Sequence, residues 1–282
     1  MSKPRSVIVT GGASGLGKSM SAYFAARGDT VTILDINADS SPAETEASPG
    51  RLRFQRCDVS SWAEQKAAFA AIVAELGRVD VVVANAGVVE GGRSWLVPPS
   101  RAPGSEEPAW EEEPEEPRLK ALEVNLIGVV YSVKLALHYM QRNAPDAATG
   151  SRGSIVCTAS NAGLYPFPAQ PLYGASKHAV VGLVRSLGPV YGRPDVGIRI
   201  NALAPALLVT NIAGGGVSLA NMVITPHSTL IAGLERLLTD STLNGQVAEI
   251  HGENVTLRPP HEVVDADTQH NLEEFVRSSY GQ

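Results

Sequence analysis

Short apolar runs rich in β-branched residues recur along this chain, and stretches with a helical spacing of apolar positions separate them. Residues 6–10, 30–34, 51–57, 80–84, 154–158, 196–204 and 246–250 read as buried strands, the first being Ser6-Val7-Ile8-Val9-Thr10. Helices are predicted over residues 17–27, 61–76, 117–142, 172–193 and 225–240. In the third of these, Leu122, Leu126, Val129, Val130, Val133 and Leu137 form a broad apolar stripe. Strands alternating with helices predict an α/β fold, a single Rossmann-type doubly wound parallel sheet flanked by helices.

Three stretches break the alternation. Residues 37–50 are polar and rich in Pro and Ser, so any helix there is short or missing. Residues 88–117 are rich in Pro, Gly and Glu and follow no period, which reads as a surface insert, either mobile or functional, that Trp95 and Trp110 can anchor at a pocket rim or a partner. Residues 206–228 contain Gly214-Gly215-Gly216 and read as a lid over a site. The expected organisation is one domain over residues 1–250 carrying the insert and the lid, then a polar tail, 251–282, with a helical turn or two around 272–278.

Composition changes this picture little. At 282 residues, 44% hydrophobic and 18% charged, the chain fits one large globular domain. The net charge of −6 is local: seven glutamates lie in residues 105–117 with no Lys or Arg, and setting them aside leaves +1. No basic face suggests nucleic acid, and no run of about 18 apolar residues suggests a membrane span. The first strand begins at once, leaving no room for a cleaved signal, and Cys57 and Cys157 each close an apolar strand as buried hydrophobes. A cytoplasmic protein is expected. The six histidines show no metal-ligand spacing, so no metal site is expected.

The chemistry concentrates in two places. The first strand runs into Thr10-Gly11-Gly12-Ala13-Ser14-Gly15-Leu16-Gly17 and then a helix. Glycines there allow a tight turn and let the backbone approach a pyrophosphate at the helix N-terminus. Asp35 closes the second strand, eighteen residues after Gly17. A carboxylate at that place can accept both hydroxyls of an adenosine ribose and repels a 2′-phosphate. No arginine follows directly and Ser14 is neutral, so NAD is expected over NADP. Asp58 ends the third strand, where it can bond an adenine amino group, cap the next helix, or do both. Asn85-Ala86-Gly87 suits close passage beside a dinucleotide, with Asn85 bridging neighbouring strands.

The second place is Ser160 to Lys177. Tyr173 and Lys177 stand four residues apart, on one helix face. A phenol is a poor base at neutral pH, and bringing it there takes about 4 kcal/mol of differential interaction. A neighbouring ammonium, or an oxidised nicotinamide ring, favours the phenolate. Ser160, at the end of the fifth strand, can hydrogen-bond an oxygen that gains or loses charge. Asn125, in the apolar stripe, is either a satisfied structural amide or the holder of a water that relays protons to Lys177. These are parts for moving a proton to or from an alcohol.

Taken in order, TGGASGLG at 10–17, Asp58-Val59, Asn85-Ala86-Gly87, Asn125, Ser160, Tyr173-x-x-x-Lys177 and Asn201 through Thr210 resemble the short-chain dehydrogenase/reductase family. The resemblance covers about residues 6–250. It implies seven parallel strands, Tyr173 as general acid–base, and Ser160 stabilising the reacting oxygen. It implies that Lys177 lowers the tyrosine pKa and holds the nicotinamide ribose, with Asn125 supporting the relay. Cofactor contacts are expected at Gly11, Ser14, Gly15, Leu16, Gly17, Asp35, Ile36, Asp58, Val59, Asn85, Ala86, Gly87, Tyr173, Lys177, Pro205, Ala206, Leu208 and Thr210, the last touching a carboxamide or phosphate. A homodimer or homotetramer is implied, built on the helices at 117–142 and 172–193.

Residues 159–186 and the late Leu243-Asn244-Gly245 look most like 15-hydroxyprostaglandin dehydrogenase-type enzymes, and fungal secondary-metabolite dehydrogenases are similar. That likeness implies oxidation of a secondary alcohol on a bulky apolar substrate. The family's usual Pro-Gly is Pro205-Ala206 here, which stiffens the start of the lid. Two other functions fit the same fold: a regulatory module that binds NAD without turnover, and a non-redox isomerase or dehydratase. The intact Asn125, Ser160, Tyr173 and Lys177 argue against the binding module.

Overall fold

The structure is a computed structural model, and it describes residues 4–37, 50–90, 94, 96–97, 113–210 and 221–280. Most of the expected insert, with Trp95 and Trp110, and the Gly214-Gly215-Gly216 run lie outside these residues, as do 38–49. The strands are β1 (Ser6–Thr10), β2 (Thr30–Asp35), β3 (Arg51–Arg56), β4 (Val81–Ala84), β5 (Gly153–Thr158), β6 (Ile198–Pro205), β7 (Val247–His251) and β8 (Asn254–Leu257). They form one sheet in the order β3-β2-β1-β4-β5-β6-β7-β8. The first seven are parallel, as the strand–helix alternation predicts.

β8 is an addition. It turns back on β7 through Gly252-Glu253 and pairs with it antiparallel, with Gly252 at φ +52°. A two-residue hairpin loop of this kind needs a residue tolerant of positive φ, which glycine supplies. The strand has no buried residue, so no apolar run announces it.

Helices α1 (Gly15–Ala26) and α6 (His227–Thr239) cover one face of the sheet. There Val7, Val9, Val31, Ile33, Val81 and Val83 pack on Met20, Phe24, Leu230 and Leu234. Helices α2 (Trp62–Leu76), α4 (Gly128–Met140) and α5 (Pro171–Tyr191) cover the other, where Ile8, Val82, Ile155 and Ile200 meet Phe69, Val133, Leu137 and Val184. Alternate residues of β1 and β4 thus feed opposite cores, as the period of a strand requires.

The expected helix at 117–142 is not uniform. A short piece, α3 (Lys120–Leu122), passes through a π-helical turn, Glu123–Ile127, before α4 begins. Taken together, 120–140 is long and apolar enough to cross a membrane by composition. Val129, Val133, Leu135, Ala136, Leu137 and Met140 are instead buried in the core. Beyond β8, Arg185 on α5 donates to the carbonyls of Arg258 and Pro259. The tail then forms a four-turn helix, α7 (Ala266–Tyr280), longer than the turn or two expected, on which Leu272, Phe275 and Val276 are exposed.

Candidate functional site

The sheet order reverses direction between β1 and β4, and in open α/β sheets the crevice at the carboxyl ends of such strands is where ligands bind. Thr10 ends β1 there. Its hydroxyl accepts the N–H groups of Asn85 (2.9 Å) and Ala86 (3.0 Å), tying the two strand ends together. Asn85 extends the tie: its amide donates to the Thr10 carbonyl at 3.1 Å and its oxygen accepts from Thr158 on β5 at 3.1 Å.

The glycine turn is packed too closely for side chains. Gly11 has φ +63°, and a Cβ on it would stand 2.8 Å from the Ala86 Cα. A Cβ on Gly17 would come within 2.1 Å of the Gly11 carbonyl oxygen. Ser14 is the N-cap of α1 and makes no side-chain capping bond, and the first turn carries no acidic residue. The positive end of α1 is therefore left for an external anion, so these residues fit a dinucleotide phosphate. Thr210 crosses in front of Gly15, with its Cγ2 at 3.4 Å from a Cβ built there.

Asp35 is buried at the end of β2. Its Oδ2 accepts from Ala13 N at 3.1 Å and its Oδ1 from Asn37 N at 3.0 Å, so the carboxylate also braces the glycine turn. Ile36 is exposed beside it. Asp58 does not cap α2. Ser61 does, accepting from Glu64 N, while Asp58 Oδ1 accepts from Ser60 N (2.9 Å) and Ser60 Oγ (2.6 Å). These bonds, led by the Ser60 hydroxyl, hold the Asp58 carboxyl below its ordinary range. Val59 is buried against Gly128, where a Cβ would stand 3.0 Å from its Cγ2.

Ser160 follows β5 and caps the 3-10 turn Asn161–Gly163, its hydroxyl accepting from Ala162 N at 3.2 Å. The Pro205 carbonyl, at the end of β6, lies 3.4 Å from the same hydroxyl. Ala206 N donates to Ile250 O at 2.8 Å, so the segment leading to the buried Leu208 leaves the sheet from an anchored point. Tyr173 and Lys177 share a face of α5, with the Lys177 Nζ 5.6 Å from the tyrosine ring centroid. Lys177 is buried and donates to the Thr158 carbonyl at 2.9 Å. Burial lowers it from the ordinary lysine value to about 8. Burial also pushes the Tyr173 phenol up, and the neighbouring Ser160 hydroxyl works in the opposite direction.

The protein groups alone do not bring the phenol towards neutrality, because loss of water costs the phenolate more than its neighbours return. Asn125 is fully buried in the π-helical turn. Its oxygen accepts from Val88 N at 2.8 Å, and its amide donates to Val88 O at 2.9 Å and Ser176 Oγ at 3.1 Å. These three bonds satisfy the Asn125 side chain. Gly87 keeps the space beside it open: a Cβ there would lie 3.3 Å from Asn125 Oδ1 and 3.5 Å from Lys177 Nζ.

Sequence reasoning missed the residues that hold these groups. Thr10 and Thr158 end strands and look like strand residues; their hydroxyls pair across the sheet instead. His227, on α6, links Ser19 of α1 (2.7 Å) to the Val209 carbonyl (3.2 Å), pinning α1 to the segment after β6. His178 faces its own helix, at 2.9 Å from the Gly174 carbonyl. Among the described residues no group of three or more His, Cys, Asp or Glu is placed to hold a metal. Cys57 and Cys157 are unpaired and buried, with burial pushing both thiols up to about 12.

The short chain dehydrogenase family model matches residues 5–216, which hold the glycine turn, Ser160, Tyr173 and Lys177. The chain belongs to that family. A Penicillium roqueforti protein, short-chain dehydrogenase/reductase prx4, is 37% identical over 234 residues, 77% of this chain and 62% of its own length. The chain thus spans less than two thirds of that relative. Mouse 15-hydroxyprostaglandin dehydrogenase [NAD(+)] is 28% identical over 267 residues, 86% of this chain and 88% of the mouse enzyme. Among solved structures, levodione reductase superposes with a TM-score of 0.70 at 27% identity, covering 88% of this chain and 96% of the reductase. These relatives are named as dehydrogenases and reductases, in keeping with that family.

Proposed function

We propose that this short-chain dehydrogenase is an NAD-dependent secondary-alcohol dehydrogenase for a bulky apolar substrate, with Tyr173 as general acid–base. One observation carries the reading: Ser160 and Lys177 both stand beside Tyr173, at the same carboxyl end of the parallel sheet as the open glycine turn. The nicotinamide, when bound, supplies the hydride acceptor and an added positive charge. Tyr173 takes the alcohol proton, or returns it in the reverse direction. Ser160 donates a hydrogen bond to the reacting oxygen as its charge changes. Lys177 has spent one donor on Thr158, and its remaining donors and charge serve a ribose and the phenolate.

Asp35 at the end of β2, followed by Ile36 and Asn37 and not by arginine, supports NAD, as does the cofactor in the mouse relative's name. The exposed rings of Tyr165 and Phe167, the latter 6.0 Å from Tyr173, support an apolar substrate at the rim. Assembly into a dimer or tetramer through α4 and α5 belongs to the same proposal, supported by the exposed Ile127 and Val130 at the start of α4.

The test is NADH formation from bulky secondary alcohols, offering NAD and NADP separately to wild type and Tyr173→Phe. Turnover with NAD that falls on the order of 10²- to 10⁴-fold in Tyr173→Phe is expected. Near-normal turnover in the variant overturns the role of Tyr173. NAD binding with no redox change in any substrate favours the regulatory module, and conversion of substrate without NADH favours the isomerase.

A further inference from the structure

Helix α5 begins in an unusual way. Gln170 is its N-cap but makes no side-chain capping bond, and Pro171, the first helical residue, has no N–H. Gly174 N already donates to the Gln170 carbonyl. The first turn is left with two donors to satisfy, the N–H groups of Leu172 and Tyr173. One atom takes both. Glu90 Oε1 accepts from Leu172 N at 2.7 Å and from Tyr173 N at 3.2 Å.

The contact is reciprocal, since Glu90 N donates to Gln170 Oε1 at 3.3 Å. The arrangement works like a capping box, except that the carboxylate taking the first-turn donors lies 80 residues earlier in the chain and the N-cap side chain accepts from that residue's N–H. The second carboxylate oxygen accepts from Ser94 Oγ at 2.8 Å, and Ser94 is itself buried. A carboxylate here is also favoured by the dipole of a long helix.

Tyr173 is only the third residue of α5, within the turn most prone to fray. Lys177 lies one turn deeper and is fastened to Thr158. The pair thus straddles the boundary between a loose helix end and a fixed one, and Glu90 is what fastens the loose side. We propose that Glu90 is a positioning residue that holds Tyr173 in register with Ser160 and Lys177. The proposal rests on the reading of Tyr173 as the acid–base group. A misplacement of about 1 Å can cost on the order of 10²-fold in rate.

The experiment compares wild type, Glu90→Ala, Glu90→Gln and Tyr173→Phe. It measures kcat and KM with NAD and the secondary alcohol that wild type oxidises fastest, the deuterium isotope effect on kcat, and amide hydrogen exchange. Glu90→Ala is expected to lower kcat on the order of 10- to 100-fold with KM values changed by less than about 3-fold, and to raise the isotope effect. Glu90→Gln keeps an acceptor oxygen and should recover most of the loss. Exchange at the Leu172 and Tyr173 amides should quicken in Glu90→Ala while the Lys177 amide stays protected, a readout that needs no substrate. Unchanged exchange, or a kcat within about 2-fold of wild type in both variants, overturns the proposal. So does a loss in Glu90→Ala that Glu90→Gln does not relieve. If Tyr173→Phe keeps turnover, the acid–base reading itself fails; if it is silent while Glu90→Ala is normal, only the positioning role fails.

Discussion

Two helices start at the same end of this sheet and are finished in opposite ways. At α1 the N-cap serine makes no capping bond, no acidic residue stands in the first turn, and Gly11 and Gly17 sit where a side chain would clash with the turn itself. At α5 a proline removes one donor and the Glu90 carboxylate takes the next two. The physics is the same at both, since every helix start presents unsatisfied N–H groups and a positive dipole end. What differs is who satisfies them. The chain leaves the start of α1 open, as the proposed phosphate site requires, and closes the start of α5, beside Tyr173, with its own charge.

The comparison can be broken most severely at Gly17. Gly17→Ala puts a methyl 2.1 Å from the Gly11 carbonyl, so the turn must open. NAD affinity is expected to fall at least on the order of 100-fold, and stability by about 1–3 kcal/mol; titration calorimetry and thermal melts report both. If affinity survives, the turn does not hold the phosphate.

Lys177 tests the closed side. Its value of about 8 lies well below the unfolded value, so the folded state releases its proton first. Stability should then rise as pH climbs from about 8 to the unfolded lysine range, and the penalty for burying the ammonium is fully present below 8. Lys177→Met should therefore melt higher than wild type at pH 7, by up to about 3 kcal/mol less its lost bond to Thr158, while losing activity. A variant that melts lower at pH 7 and keeps the wild-type pH slope would refute this.

Asp35 gives a smaller effect. Asp35→Ser removes the charge that disfavours a 2′-phosphate, and the NAD-to-NADP preference is expected to drop by about 10-fold in steady-state kinetics. No change in preference would place the discrimination elsewhere.

The elements that build the sheet were legible because burial is written locally. β1, β4 and β5 are short apolar runs, and Tyr173 and Lys177 share a face by spacing alone. The glycine turn was legible because only its position between β1 and α1 explains so many small residues. What escaped depends on contacts between distant parts. The π-helical turn at Glu123–Ile127 interrupts a stripe whose periodicity looks continuous, and it places Asn125 against Val88. Nothing near Glu90 in sequence announces a bond to a helix 80 residues later. Asp58 looked like a cap because an acid preceded a helix, but Ser61 stands closer to it. β8 carries no buried residue, and only Gly252 marks its turn.

The most direct test closes α1 as α5 is closed. Ser14→Asp supplies a carboxylate cap at the open helix start, next to where a phosphate would lie. NAD titration and thermal melting of this variant beside wild type should show about 10-fold weaker NAD binding together with a fold about 1 kcal/mol more stable. NAD affinity equal to wild type in the capped protein would contradict the account, because the open end of α1 would then not be the anion site.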